Sequence, residues 1–118
     1  MKKCAALIVE DDDGVRRLLQ VLLRRHCGSV DVAGDGEAAI EMVRGRSYDL
    51  VLLDLMLPKV NGFAVWNAIQ SLESPPKVIV FSAISRHFRD RFPDDTVVLQ
   101  KPFDLARIED AVRTLDAR

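Results

Sequence analysis

Short apolar runs alternate along this chain with longer segments whose apolar residues return every third or fourth position. The runs Ala5 to Val9, Val30 to Ala33, Leu50 to Leu53, Val78 to Phe81 and Val97 to Leu99 have strand length, and most are β-branched or apolar throughout. Unbroken apolarity suits strands covered on both faces, and strands separated by helices predict a parallel sheet. Val15, Leu18, Leu19 and Leu22 mark the inner stripe of a first helix. Ala39, Met42 and Val43 mark a second, with Asp35 as its N-cap, and Val65, Ala68, Ile69 and Leu72 a third. Leu105, Ile108, Val112 and Leu115 mark the last. Pro75-Pro76 divides the third helix from the fourth strand, and Gly34, Gly36 and Gly45 punctuate other boundaries. The stretch from Ile84 to Asp95 is least regular, with one or two basic turns through Phe92 before Pro93 stops them. A short helix is expected there.

Length and charge narrow the function. A chain of 118 residues holds one sizeable core, so a single domain over 1–118 is expected, without an output module. Seventeen basic against eighteen acidic residues argues against a protein that grips nucleic acid by bulk charge. No apolar run approaches the roughly 20 residues that cross a bilayer, and Met1-Lys2-Lys3 leads into a run too short for a signal peptide. A cytoplasmic location without membrane insertion is expected. Cys4 and Cys27 are widely spaced and beside no histidine cluster, which predicts free buried thiols rather than a disulfide or zinc site.

In a parallel sheet the residues just past each strand gather along one edge. Here those residues are polar: Glu10-Asp11-Asp12-Asp13 after the first strand, Asp54 after the third, Ser82 after the fourth and Gln100-Lys101 after the fifth. Clustered carboxylates repel unless a cation sits among them, and an oxygen-only set points to Mg²⁺. A carboxylate beside Mg²⁺, an ammonium and a hydroxyl has the parts to attack phosphorus and hold the product. Asp54 is the candidate nucleophile, with Lys101 neutralising phosphoryl oxygens and Ser82 donating a hydrogen bond.

These residues resemble the receiver domain of bacterial two-component response regulators over essentially the whole chain. Leu7-Ile8-Val9-Glu10-Asp11-Asp12 is similar to the family's opening acidic motif, and Leu53-Asp54-Leu55-Met56-Leu57-Pro58 with Gly62 to its phosphoacceptor loop. Val80-Phe81-Ser82-Ala83 and Lys101-Pro102-Phe103 complete the match. The resemblance implies a doubly wound, flavodoxin-like α/β fold, a five-stranded parallel sheet of order 2-1-3-4-5 with helices on both faces and the fourth helix shortened. It implies that Asp54 accepts a phosphoryl group from a sensor histidine kinase or phosphotransfer protein and that a downstream protein reads the change. Mg²⁺ would be held by Asp11, Asp54 and the Met56 carbonyl, with Glu10 acting through coordinated water. A cis bond between Lys101 and Pro102 is also implied.

Two departures stand out. Relatives carry an aromatic switch residue three positions before the lysine, where this chain has Val98. The stretch between Ser82 and Lys101 is shorter than the family's by about one helical turn, which puts docking or dimerisation through that surface in question. Met56 and Ile84, each two positions past an active-site residue, are apolar where relatives often carry polar groups, which predicts slow loss of phosphoryl from Asp54. Elsewhere ordinary roles are expected: N-cap and first-turn charge for Asp12 and Asp13, a packed helix edge for Phe63 and Trp66, solvation for Arg86, Arg89 and Arg91, and loop surface for Lys59 and Asn61. Pro58 and Gly62 should shape their loop, and His26 and His87 stand isolated. The functional expectation is a phosphoacceptor switch rather than a turnover enzyme. A pseudo-receiver acting as a constitutive interaction module is the alternative, and a Mg²⁺-dependent phosphatase a weaker third.

Overall fold

The computed structural model describes residues 4–83, 89–101 and 105–116. Its strands are β1 (Ala5–Val9), β2 (Ser29–Ala33), β3 (Leu50–Asp54), β4 (Lys77–Ser82) and β5 (Val97–Gln100). Its helices are α1 (Asp13–Arg24), α2 (Gly36–Gly45), α3 (Gly62–Gln70) and α4 (Leu105–Asp116). All strand pairs are parallel, in the order β2-β1-β3-β4-β5. The expected doubly wound fold is therefore present.

Alternate residues of each strand feed two separate cores. Ala6 and Ile8 of β1, Leu50 and Leu52 of β3, and Ile79 and Phe81 of β4 pack with Leu19, Leu22 and Leu23 of α1 and Ile108 and Val112 of α4. Leu7 and Val9, Val51 and Leu53, and Val78 and Val80 face the other way, against Ala39 and Val43 of α2 and Val65 and Ile69 of α3. Double coverage is why these strands read as continuous apolar runs. Each large aliphatic side chain so buried contributes about 1.5–3 kcal/mol. Edge strand β2 is covered less, and only Ala33 is fully buried.

Local signals set the helix starts. Asp12 caps α1 by accepting from the Val15 amide at 2.9 Å, with Asp13 in the first turn, and Asp35 caps α2 by accepting from Ala38 at 2.8 Å. Asn61, expected as plain loop surface, caps α3 by accepting from Ala64 at 3.1 Å. Leu18 does not join the inner stripe. It is 48% exposed, and Leu23 takes its place, because a helix starting at Asp13 turns Val15, Leu19, Leu22 and Leu23 inward. Leu72 lies past the end of α3, half-buried against the core, and the side chain of Leu115 lies outside the described set.

The cysteines are not free thiols: Cys4 and Cys27 form a disulfide. Cys4 precedes β1 and Cys27 closes the turn before β2, and pairing of these neighbouring strands brings the two Cα atoms to 4.7 Å. His26 is not isolated either, since its Nε2 lies 3.1 Å from Glu109 of α4.

Between β4 and β5 the described residues contain one 3₁₀ turn, Arg89–Arg91. Ile84, Arg86 and His87 lie outside the described residues. Phe92, just after the turn, is buried against α3, stacked on Phe63 (centroids 5.6 Å apart) and edge-on to Trp66 (4.8 Å). Arg91 is more than solvated charge, because its guanidinium lies 4.0 Å from the Phe63 ring centroid. Arg89 donates to the carbonyls of Pro93 and Asp94.

Candidate functional site

The sheet order reverses direction between β1 and β3, so their carboxyl ends flank the crevice where open α/β sheets bind ligands. Glu10 and Asp11 follow β1, Asp54 ends β3, Ser82 ends β4 and Lys101 follows β5. In the β3–β4 register Asp54 stands beside Phe81, and Ser82 is the next residue along. The Lys101 amide donates to the Ser82 carbonyl at 2.8 Å, carrying the chain from β5 onto the same rim.

Glu10 is wholly buried and Asp54 nearly so at 2% exposure, while Asp11 is exposed. Lys101 Nζ donates to Glu10 Oε1 at 2.6 Å and to Asp54 Oδ2 at 3.1 Å, and lies 5.3 Å from the Phe81 ring centroid. Glu10 Oε2 also accepts the Asp12 amide at 3.0 Å, and Asp54 Oδ1 accepts the Met56 amide at 2.9 Å. One ammonium therefore serves two buried carboxylates. Burial pushes the Glu10 carboxyl above its ordinary range, and the Lys101 and Asp12 hydrogen bonds return only part of that shift. Burial alone would lower Lys101, but its bonds to Glu10 and Asp54 and their negative charge outweigh it, so its pKa is raised.

The loops around these groups are fixed from outside. Arg16 Nη1 donates to the Glu10 carbonyl at 3.0 Å and its other terminal nitrogen pairs with Asp13, holding the acidic turn to α1. Arg16 was not anticipated, although its position three residues after Asp13 is a helix-surface pairing distance. Gly62 donates to the Leu55 carbonyl at 3.0 Å. A Cβ on Gly62 would press on the Asp54 carbonyl oxygen at 2.7 Å and on the Leu55 backbone. Lys59 adopts a left-handed conformation (φ 65°) in the same loop.

Glu10, Asp11 and Asp54 each offer an oxygen, all within 4.8 Å of one another, and form the one cluster of three metal-ligating side chains among the described residues. An all-carboxylate donor set, two members of which are buried and share a single ammonium, fits a hard divalent cation such as Mg²⁺. Met56 presents its backbone beside Asp54 while its side chain is exposed. Asp12 and Asp13 are engaged in the helix start, as expected. Pro102 and Phe103 lie outside the described residues.

The family model for the response regulator receiver domain matches residues 6–113. The chain belongs to this family. The receiver domain is also 32% identical over 113 residues to the response regulator ArlR of Staphylococcus saprophyticus, covering 92% of this chain and 50% of that protein. It thus spans about half the length of the curated relatives it matches. A CheY-like receiver domain from Methylobacillus flagellatus superimposes with a TM-score of 0.78 at 26% identity, covering 97% of this chain and 99% of that one. The receiver domain of sensor histidine kinase PA1611 from Pseudomonas aeruginosa PAO1, with a magnesium ion coordinated in its active site cleft, shares the fold (TM-score 0.79, 21% identity, coverage 98% and 99%). Among the described residues no helix is long and apolar enough to cross a membrane.

Proposed function

We propose that this receiver domain is a phosphoacceptor switch in two-component signalling, modified on Asp54 and read by a downstream protein. The donor is the phosphohistidine of a sensor histidine kinase or phosphotransfer protein. An Asp54 carboxylate oxygen attacks phosphorus, the P–N bond breaks, and the departing imidazole keeps the electron pair and takes up a proton. Lys101, already 3.1 Å from Asp54 Oδ2, needs little movement to meet phosphoryl oxygens. Ser82 would donate to the same group from the end of β4. Glu10, Asp11 and Asp54, with the Met56 carbonyl, would hold Mg²⁺, which when bound supplies positive charge to the phosphoryl oxygens and to the crowded acids. The domain acts as a switch and not as a turnover enzyme, in a cytoplasmic setting where kinases draw on ATP and without direct nucleic-acid contact.

The observation that carries this reading is the single ammonium of Lys101 shared by Glu10 and Asp54. Burying two like charges with one counter-charge costs stability. A constitutive pseudo-receiver would gain by losing one of the acids, and the comparisons lend that alternative no support. The test exposes the protein to a small phosphodonor with Mg²⁺ and follows intact mass, alone and as Asp54→Asn. One phosphoryl gained only by the unsubstituted protein supports the reading, and none gained by either returns the pseudo-receiver.

A further inference from the structure

The Cys4–Cys27 bridge lies at the edge of the sheet opposite to Asp54. Strand β1 runs from just after Cys4 to just before Glu10, and its five residues put roughly 17 Å between the two ends. Main-chain hydrogen bonds hold the two cysteine backbones side by side independently of the bond between the sulfurs. The amides of Gly28 and Ser29 both donate to the Cys4 carbonyl, at 3.0 and 3.2 Å, and the Cys27 amide donates to Leu23 at the end of α1 at 2.8 Å. A dithiol form would therefore keep its two thiols adjacent, and closing the bond would be an intramolecular step at high effective concentration.

The bridge is also not required to make a core of this size, which two packed layers supply on either side of the sheet. In a reducing compartment a crosslink that the fold does not need is the kind that opens and closes. Its neighbours make it consequential. His26, next to Cys27, meets Glu109 on α4 at 3.1 Å, and Arg25 reaches the same carboxylate at 4.0 Å. The turn that carries Cys27 is thus tied at once to β1 and to α4.

We propose that Cys4 and Cys27 form a reversible thiol–disulfide switch that sets the stability of the β1–α1–β2 unit and its anchorage to α4, separately from phosphoryl transfer. The oxidant is a small-molecule disulfide such as oxidised glutathione. One cysteine thiolate attacks a sulfur of the oxidant and expels one thiolate. The second cysteine then attacks the protein sulfur of the mixed disulfide and expels another, so two protein thiols and one external disulfide become one protein disulfide and two external thiols. A reducing thiol in excess runs the same steps backward. With the cysteines only 4% and 6% exposed, exchange proceeds through opening of the Arg25 to Gly28 turn.

The experiment equilibrates the protein in buffers of graded reduced-to-oxidised glutathione ratio, alkylates free thiols, and reads intact mass and thermal unfolding. The bridged fraction should follow the ratio from either direction, and the bridged form should melt about 14 °C above the dithiol form, the size expected for a loop of this length in a domain of this size. Cys4→Ser and Cys27→Ser should melt with the dithiol form at every ratio. Should a serine variant fail to fold, the titration of the unsubstituted protein decides alone. Two alkylated thiols at every ratio, a glutathione adduct as the sole product, a bridge that excess thiol leaves intact, or a bridge without change in melting would each overturn the switch. Unequal phosphorylation of the two forms by a small phosphodonor would overturn the separation from phosphoryl transfer.

Discussion

Replacing Lys101 with methionine keeps the aliphatic stem and removes the one positive charge that Glu10 and Asp54 share. Stripping a partner from buried charges costs about 3–5 kcal/mol, and the lower figure applies because Lys101 is 23% exposed and Glu10 can take up a proton. For a domain of this size that is a fall in melting temperature of about 12 °C. The deficit depends on pH. Glu10 already has a folded pKa above its unfolded value because of its burial, so the native state holds that proton more tightly. Its contribution to stability is complete below the unfolded pKa and is lost as pH rises through the folded one. Removing Lys101 withdraws a hydrogen bond and a charge that pull this pKa down, so the variant loses more on the alkaline side than the parent does. The gap in melting temperature should therefore be smaller at a pH below the ordinary glutamate value than at neutral pH. Mg²⁺ at about 100 times the parent's dissociation constant returns about 2.7 kcal/mol to the parent, and the same concentration should stabilise the variant more because no ammonium competes for the acids. Calorimetry at both pH values, with and without Mg²⁺, measures all four quantities. A deficit equal at both pH values, or an equal Mg²⁺ response in both proteins, would refute the shared-charge account.

Met56→Asn places a polar group where the side chain is 53% exposed beside Asp54, and should speed phosphoryl loss about tenfold, or 1.4 kcal/mol in the barrier, as read by decay of the phosphorylated mass. Gly62→Ala sets a methyl group against the Asp54 carbonyl and should destabilise by about 1–3 kcal/mol in urea unfolding while also slowing phosphorylation. Tyr48, the one tyrosine in the chain, is pushed up to about 12 by burial and by its hydrogen bond to Asp31. Its ultraviolet titration in the folded protein should have that midpoint, and stability should decline as pH rises from the unfolded tyrosine value through the folded one.

The strands and the polar rim at their carboxyl ends were legible because each depends on short-range order. A carboxylate or ammonium ending an apolar run can only sit at the strand's mouth, so Asp54 and Lys101 were placed before any distance was known. Leu18 was misplaced because adjacent leucines satisfy an amphipathic stripe in two phases, and only the Asp12 cap fixes which one. The cysteine pairing was hidden for another reason: 23 residues separate Cys4 from Cys27, and they meet only once β1 and β2 align Ala5 with Ser29. Phe92 was illegible likewise, because its partners Phe63 and Trp66 belong to a helix nearly thirty positions earlier. Arg16 was missed because the contact that ties it to the acidic turn is to the Glu10 main-chain oxygen, and only its pairing with Asp13 three positions earlier leaves a trace in the sequence.

The perpendicular packing of Phe92 on Trp66 makes the chain optically self-reporting. Trp66 is its sole tryptophan, so under excitation at the red edge, where the lone Tyr48 does not absorb, the emission originates from one indole beside the 3₁₀ turn. Any shift of that turn, whichever signal provokes it, will register as a change in this selectively excited fluorescence without a dye or a tag.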